Sequence, residues 1–147
     1  MESSRLPRGL RNGNPLNIRH TKGSLWNGQI GNDGAFCIFM DKVWGYRAGF
    51  RLLNTYNKKY GLYSVENIIR RWAPPADGND TEGYIKRVCE LTGMRETDTV
   101  VFEIPSREEN RKAKSLVRAM AMVENGCRAE MIAMEDIERG FEMAFGL

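Results

Sequence analysis

SREENRKAKSLVRAMAMVENG, residues 106–126, is the stretch that decides the fold. Ser106 opens it as an N-cap, and Glu109 three positions on completes a capping box. Ala113, Leu116, Val117, Met120 and Ala121 then recur at three- and four-residue steps on one face. Gly126 stands where a helix ends in a left-handed C-cap. An apolar stripe of this width must be covered by another element, so the pattern predicts helices packed on helices.

The same punctuation repeats outward from that helix. Val43, Tyr46, Phe50, Leu53, Tyr56 and Tyr60 predict a helix from Asp41 to Gly61. Gly45 and Gly49 lie four apart on it, and close backbone packing is the reason to accept two glycines there; the expected partner is the 107–125 helix. Ser64 caps a helix through Val65, Ile68, Ile69 and Trp72, which Pro74 and Pro75 stop. Asn79 and Asp80 cap the next, through Tyr84, Ile85, Val88 and Leu91, with Gly93 at its end. A last helix carries Ile137, Phe141, Ala144 and Phe145. Residues 3–34, rich in Gly, Asn, Pro and Arg without a sustained period, read as an ordered loop. Ala35 to Phe39 reads as a short strand entered from an Asn32-Asp33-Gly34 turn, pairing with the Leu25-Trp26 region in a small hairpin. Val100-Val101-Phe102 fits either a short strand or an anchored loop. The fold class is mainly α (α+β): five helices and a small β-hairpin in one domain, residues 1–147.

Composition bounds the function. At 147 residues and 41% hydrophobic the chain can bury one core. It contains no run of eighteen apolar residues, and its start has no apolar stretch behind its charges, so neither a membrane span nor a secretory signal is expected. Three cysteines, Cys37, Cys89 and Cys127, and a single histidine, His20, leave no metal site or disulfide framework to expect, and no cofactor. The net charge of +3 is unevenly spread: residues 1–72 hold twelve Lys/Arg against four Asp/Glu, and residues 73–147 ten against fifteen. A basic half suits an anionic polymer, with bacterial wall and nucleic acid both qualifying.

Several pieces together carry a resemblance: Arg11-Asn12-Gly13-Asn14-Pro15-Leu16-Asn17-Ile18-Arg19, Trp26-Asn27-Gly28-Gln29, Gly31-Asn32-Asp33-Gly34, Gly45-Tyr46-Arg47-Ala48, Arg71-Trp72-Ala73-Pro74-Pro75 and Asn79-Asp80-Thr81. The chain resembles phage and prophage virion-associated, lysozyme-like proteins, densely over residues 8–92. It departs from their usual pattern at Gly13 and Leu16. A weaker likeness, of fold more than sequence, is to glucosaminidases that trim peptidoglycan. The resemblance implies a lysozyme-like helical domain. In such glycosidases the catalytic glutamate ends a helix before this loop region, whereas here Val123-Glu124-Asn125-Gly126 ends a helix after it, in the C-terminal helical part, residues 106–147. That order fits a circular permutation, with Glu124 as the acid.

A carboxylate in the last turn of a helix faces the negative end of the dipole, which disfavours its ionisation and suits a general acid. Asp33, in its turn, is the candidate second carboxylate, although an aspartate there also serves to bond its own backbone. Asn14 and Asn17 offer hydrogen bonds to N-acetyl groups, Trp26 a stacking platform, and Arg19 and Gln29 further substrate contacts. Arg8, Arg11, Arg19 and Arg47 are expected to cluster near the Asn14 to Asn17 loop. His20 shows no partner.

Two readings stay open: a peptidoglycan glycoside hydrolase or lytic transglycosylase, and a non-catalytic virion structural or wall-binding protein that keeps the fold. The expected partners are peptidoglycan glycan strands and other virion proteins, with no membrane insertion and nucleic acid less favoured. The expected location is the virion or the host cytoplasm before release, with action at the wall.

Overall fold

A computed structural model describes residues 6–103 and 106–146. Within them the chain runs α1 (Arg8–Arg11), β1 (Gln29–Asn32), β2 (Cys37–Phe39), α2 (Lys42–Tyr60), α3 (Val65–Trp72), α4 (Thr81–Thr92), α5 (Arg107–Asn125) and α6 (Met134–Phe145). This is the expected mainly α class with a small antiparallel hairpin.

The capping residues act as their chemistry dictates. Asp41, Ser64, Asp80 and Ser106 accept from backbone N–H groups of the first turns of α2, α3, α4 and α5, while Gly61, Gly93 and Gly126 take left-handed conformations at helix ends. The capping box at Ser106 forms only by half. The Glu109 carboxylate turns away to accept the Val101 N–H at 3.2 Å, tying α5 to the preceding connection. That connection is an anchored loop with buried Val100 and Phe102, clamped by Asn57: its amide donates to the Val100 carbonyl, and its oxygen accepts from the Phe102 N–H.

Two expectations are corrected. The residue 3–34 segment contains a helical turn, α1, whose Pro7 sits at the N-cap, giving six helices among the described residues. The strand opposite Cys37–Phe39 is Gln29–Asn32, because Trp26 is consumed in a turn with Gln29. The three cysteines are free; only Cys37 is fully buried.

Helix α5 lies at the centre, with Leu116, Val117, Met120 and Ala121 fully buried and α4, α6 and α1 against it. Its packing on the α2 glycines does not occur. Gly45 instead receives the N-terminal loop: a Cβ there would meet the Gly13 carbonyl oxygen at 2.5 Å and Pro15 Cδ at 2.8 Å, and one on Gly49 would strike Leu16. The main helical partner of α2 is α6, whose Gly140 faces Tyr46 and whose Phe141 packs edge-on to Phe50 at 5.1 Å between ring centroids. The two glycines of α2 thus let an irregular, Asn-rich loop lie flat on the helix and reach the end of α5.

Candidate functional site

The end of α5 and that loop are stitched together. Buried Asn125 donates to the Pro15 carbonyl and to its own helix at Ala121, both at 2.8 Å. Asn17, left-handed at φ 53, donates to Glu124 Oε1 at 3.1 Å and to the Glu124 carbonyl at 3.2 Å. Asparagine tolerates that conformation better than most residues, which is why the loop can turn there. The other carboxylate oxygen, Oε2, accepts from Tyr84 Oη at 2.9 Å and from Trp72 Nε1 at 3.2 Å. Glu124 is half-buried, and among the described residues no Lys or Arg comes within ion-pair distance of it.

Burial pushes the Glu124 carboxyl above the ordinary glutamate range, against the pull of its three donors and of the Arg19 charge. The Tyr84 hydroxyl is pushed well above its own usual range by burial and by the carboxylate it meets. Asn17 can keep its bond to the Glu124 carbonyl while Oε1 carries a proton, so the carboxyl can be held in either state.

Glu124 borders a cavity of about 250 Å³, with Asn17, Arg19 and Phe36 from the N-terminal region and Leu52 and Tyr56 from α2. Trp72, Asp77 and Asn79, around the end of α3, form the remaining side. A second depression of about 370 Å³ shares Glu124 and Asn79 and adds Asp80, Tyr84 and Val123. The acid is therefore reached from both.

Glu124, Asn17 and Arg19 thus meet at one cavity, and the other residues singled out from the sequence lie elsewhere. Asn14 is fully buried and spent on the loop itself, donating to the Ile18 and Cys37 carbonyls and accepting from the Ile18 N–H. Asp33 is outside the cavity lining: it pairs with Arg8 at 2.6 Å, accepts from Asn12, and takes the Ala35 and Phe36 N–H groups in its turn. The Arg8 guanidinium holds its carboxyl well below the usual aspartate range. Trp26 is half-buried against the core, and Gln29 closes its loop by accepting the Trp26 N–H, donating to the Gly31 carbonyl and lying 3.0 Å from His20 Nδ1. Neither lines the cavity.

Of the four arginines expected to cluster, Arg8 and Arg19 converge on the Phe36 ring, at 4.6 and 5.0 Å from its centroid. Arg11 lies in a separate groove with Lys42, Asp136 and Arg139, and Arg47 lies on α2 near Arg51.

The sequence reading missed Trp72 and Tyr84 as ligands of Glu124, and Tyr56, Phe36, Asp77 and Asn79 as cavity walls. Trp72 and Tyr84 sit on apolar helical stripes, which marks them as core. Their polar handles were the available signal, because a buried Trp N–H or Tyr hydroxyl needs a partner.

Fold and cavity define a small, mainly helical protein with a half-buried, hydrogen-bonded acid at a solvent-reachable cavity. Over 142 residues, 94% of this chain and 82% of the relative, it is 40% identical to Protein P5 of Pseudoalteromonas phage PM2. The chain belongs to the family of this phage protein. No protein-family model matches it.

Proposed function

We propose that this phage-family protein binds the glycan strands of peptidoglycan in the Glu124 cavity and cleaves the bond between their amino sugars. The observation that carries the reading is Glu124 itself: a carboxyl with raised affinity for its proton, lacking a cationic partner among the described residues, beside a cavity that also offers an aromatic wall and amide groups. A carboxyl that holds its proton more tightly than an exposed one is suited to protonate a leaving oxygen. In the reaction Glu124 protonates the glycosidic oxygen, the bond from that oxygen to the anomeric carbon breaks, and water or a hydroxyl of the same sugar closes on the anomeric carbon and loses its proton. Trp72, half-buried at the cavity, supplies aromatic surface for sugar rings, and Asn17 keeps the acid aimed.

Asp77 takes the place first given to Asp33 as the second carboxylate, because it lines the same cavity and is exposed, whereas Asp33 is bound to Arg8. In this reading Val123 to Gly126 corresponds to the end of a lysozyme-like catalytic helix, in permuted chain order.

The second reading is a non-catalytic wall-binding or virion structural protein. The three donors on Glu124 favour it, since each stabilises the charged form.

Digestion of purified peptidoglycan separates the two. The wild type is expected to release soluble fragments, and Glu124→Gln to lower turnover by roughly 10² to 10⁴ while still sedimenting with the wall. Equal digestion by Glu124→Gln refutes the acid assignment; binding without digestion by the wild type leaves the second reading.

A further inference from the structure

Arg19 and Phe36 face each other across an isolated antiparallel bridge, which sets the guanidinium over the Phe36 ring. Arg8 approaches the same ring, but its charge is met by Asp33 at 2.6 Å. Arg19 has no such partner: among the described residues its side chain makes neither an ion pair nor a hydrogen bond, although it lines the cavity beside Glu124. Two carboxylates share that cavity. Glu124 is held by its three donors, and Asp77 is exposed without pairing to Arg19.

A guanidinium held over an aromatic ring makes no hydrogen bond to it in the ring plane, so its N–H donors stay free, in the fork geometry that matches a carboxylate. A neutral amino sugar presents only single acceptors, hydroxyl or acetamido, and cannot fill that fork. We propose that Arg19 forms a carboxylate-binding subsite in the Glu124 cavity, so that the glycan taken there is one bearing a free carboxylate beside its amino sugars. This rests on the reading of the cavity as a glycan site. In bacterial wall the carboxylate has two sources: the lactyl ether of a sugar whose peptide has been removed, and the stem peptide itself.

Isothermal titration at low salt, on Glu124→Gln protein so that ligands are not turned over, tests the subsite with four ligands. These are peptide-free glycan strands, the same strands with their carboxyls amidated, strands retaining stem peptides, and neutral chitotetraose. Peptide-free strands are expected to bind roughly tenfold to a hundredfold more tightly than amidated ones, from one charge-assisted bidentate contact. Adding Arg19→Gln should abolish that preference, Arg19→Lys should keep part of it, and moderate salt should shrink it. A preference confined to peptide-bearing strands, and lost with Arg19→Gln, supports the subsite with the stem peptide as source. Equal binding of charged and amidated strands, or a preference that survives Arg19→Gln, overturns the subsite and leaves the glycan reading standing. Binding of none of the four overturns the glycan reading and the subsite with it.

Discussion

Tyr84→Phe isolates one of the forces that set Glu124. The change keeps the buried ring and removes only the hydroxyl that donates to Oε2 at 2.9 Å. A hydrogen bond to a charged group is worth about 1.5–3 kcal/mol, so its loss should raise the Glu124 pKa further. The direction follows from the donor's preference for the carboxylate form: remove it, and the neutral acid is favoured further. The measurement is a ¹³C titration of the glutamate side-chain carboxyls, with Glu124 assigned by its absence in Glu124→Gln. Stability must move with it. Glu124 already binds its proton more tightly in the fold than unfolded. Its contribution is therefore complete below the ordinary glutamate pKa and is lost as pH rises through the raised folded value. Tyr84→Phe should thus cost more at pH 8 than at pH 4, by the same 1.5–3 kcal/mol or so in urea unfolding. An unchanged or lowered carboxyl pKa in a folded Tyr84→Phe protein would refute the account of how Glu124 is held.

Gly9→Ala tests the junction beneath the site. A Cβ there would lie 2.6 Å from Asn125 Oδ1, 2.7 Å from Asn17 Oδ1 and 2.8 Å from the Asn14 carbonyl oxygen, so urea unfolding should show a loss of roughly 1–3 kcal/mol, and a stability equal to wild type would contradict the packing. Asp77→Asn and Asp33→Asn should part company in a peptidoglycan turbidity assay: the first lowers turnover by about 10² or more if Asp77 acts on the attacking water, and the second leaves it near wild type. Because Arg8 lowers the Asp33 pKa in the fold, the Asp33 contribution to stability is present above the ordinary aspartate range and fades as pH falls through the folded value. Asp33→Asn should accordingly flatten the acid limb of a thermal stability profile, and an unaltered acid limb would count against the Arg8 pair.

Much of the architecture was legible because it is written in local signals. Caps at Asp41, Ser64, Asp80 and Ser106, glycines at 61, 93 and 126, and three- to four-residue apolar steps each act within one turn of chain, and the helices appear where those signals stand. Partner choice was not local. Nothing in the period of α2 says whether Gly45 and Gly49 meet a helix or a loop, and it is Pro15 and Leu16, thirty or more residues upstream, that fill the space. The polar loop misled in the same way. Asn14, Asn17 and Asp33 look alike in sequence, yet Asn14 turns inward to the backbone, Asp33 outward to Arg8, and only Asn17 reaches Glu124.

Glu124 shows the limit most clearly, since its place at the end of a helix was readable but the reason for its raised pKa was not. From its place in the last turn alone, Glu124 is expected to be shifted by the helix dipole, worth about 0.3–1 kcal/mol at an exposed terminus. In the structure burial comes first, and it arises from α3 and α4, which bring Trp72 and Tyr84 onto one carboxylate oxygen while the Asn17 loop closes on the other. The same contacts that desolvate the carboxyl also donate to it, so burial and hydrogen bonding oppose each other at every neighbour. A wholly apolar pocket would leave the proton bound and the side chain unoriented. A salt bridge would orient it and strip the proton. Two aromatic residues that bury with their rings and donate with one polar atom each do both at once: they exclude water from Oε2 and fix its direction, and Oε1, shared with an asparagine that has a second acceptor at the Glu124 carbonyl, remains the oxygen from which a proton can leave.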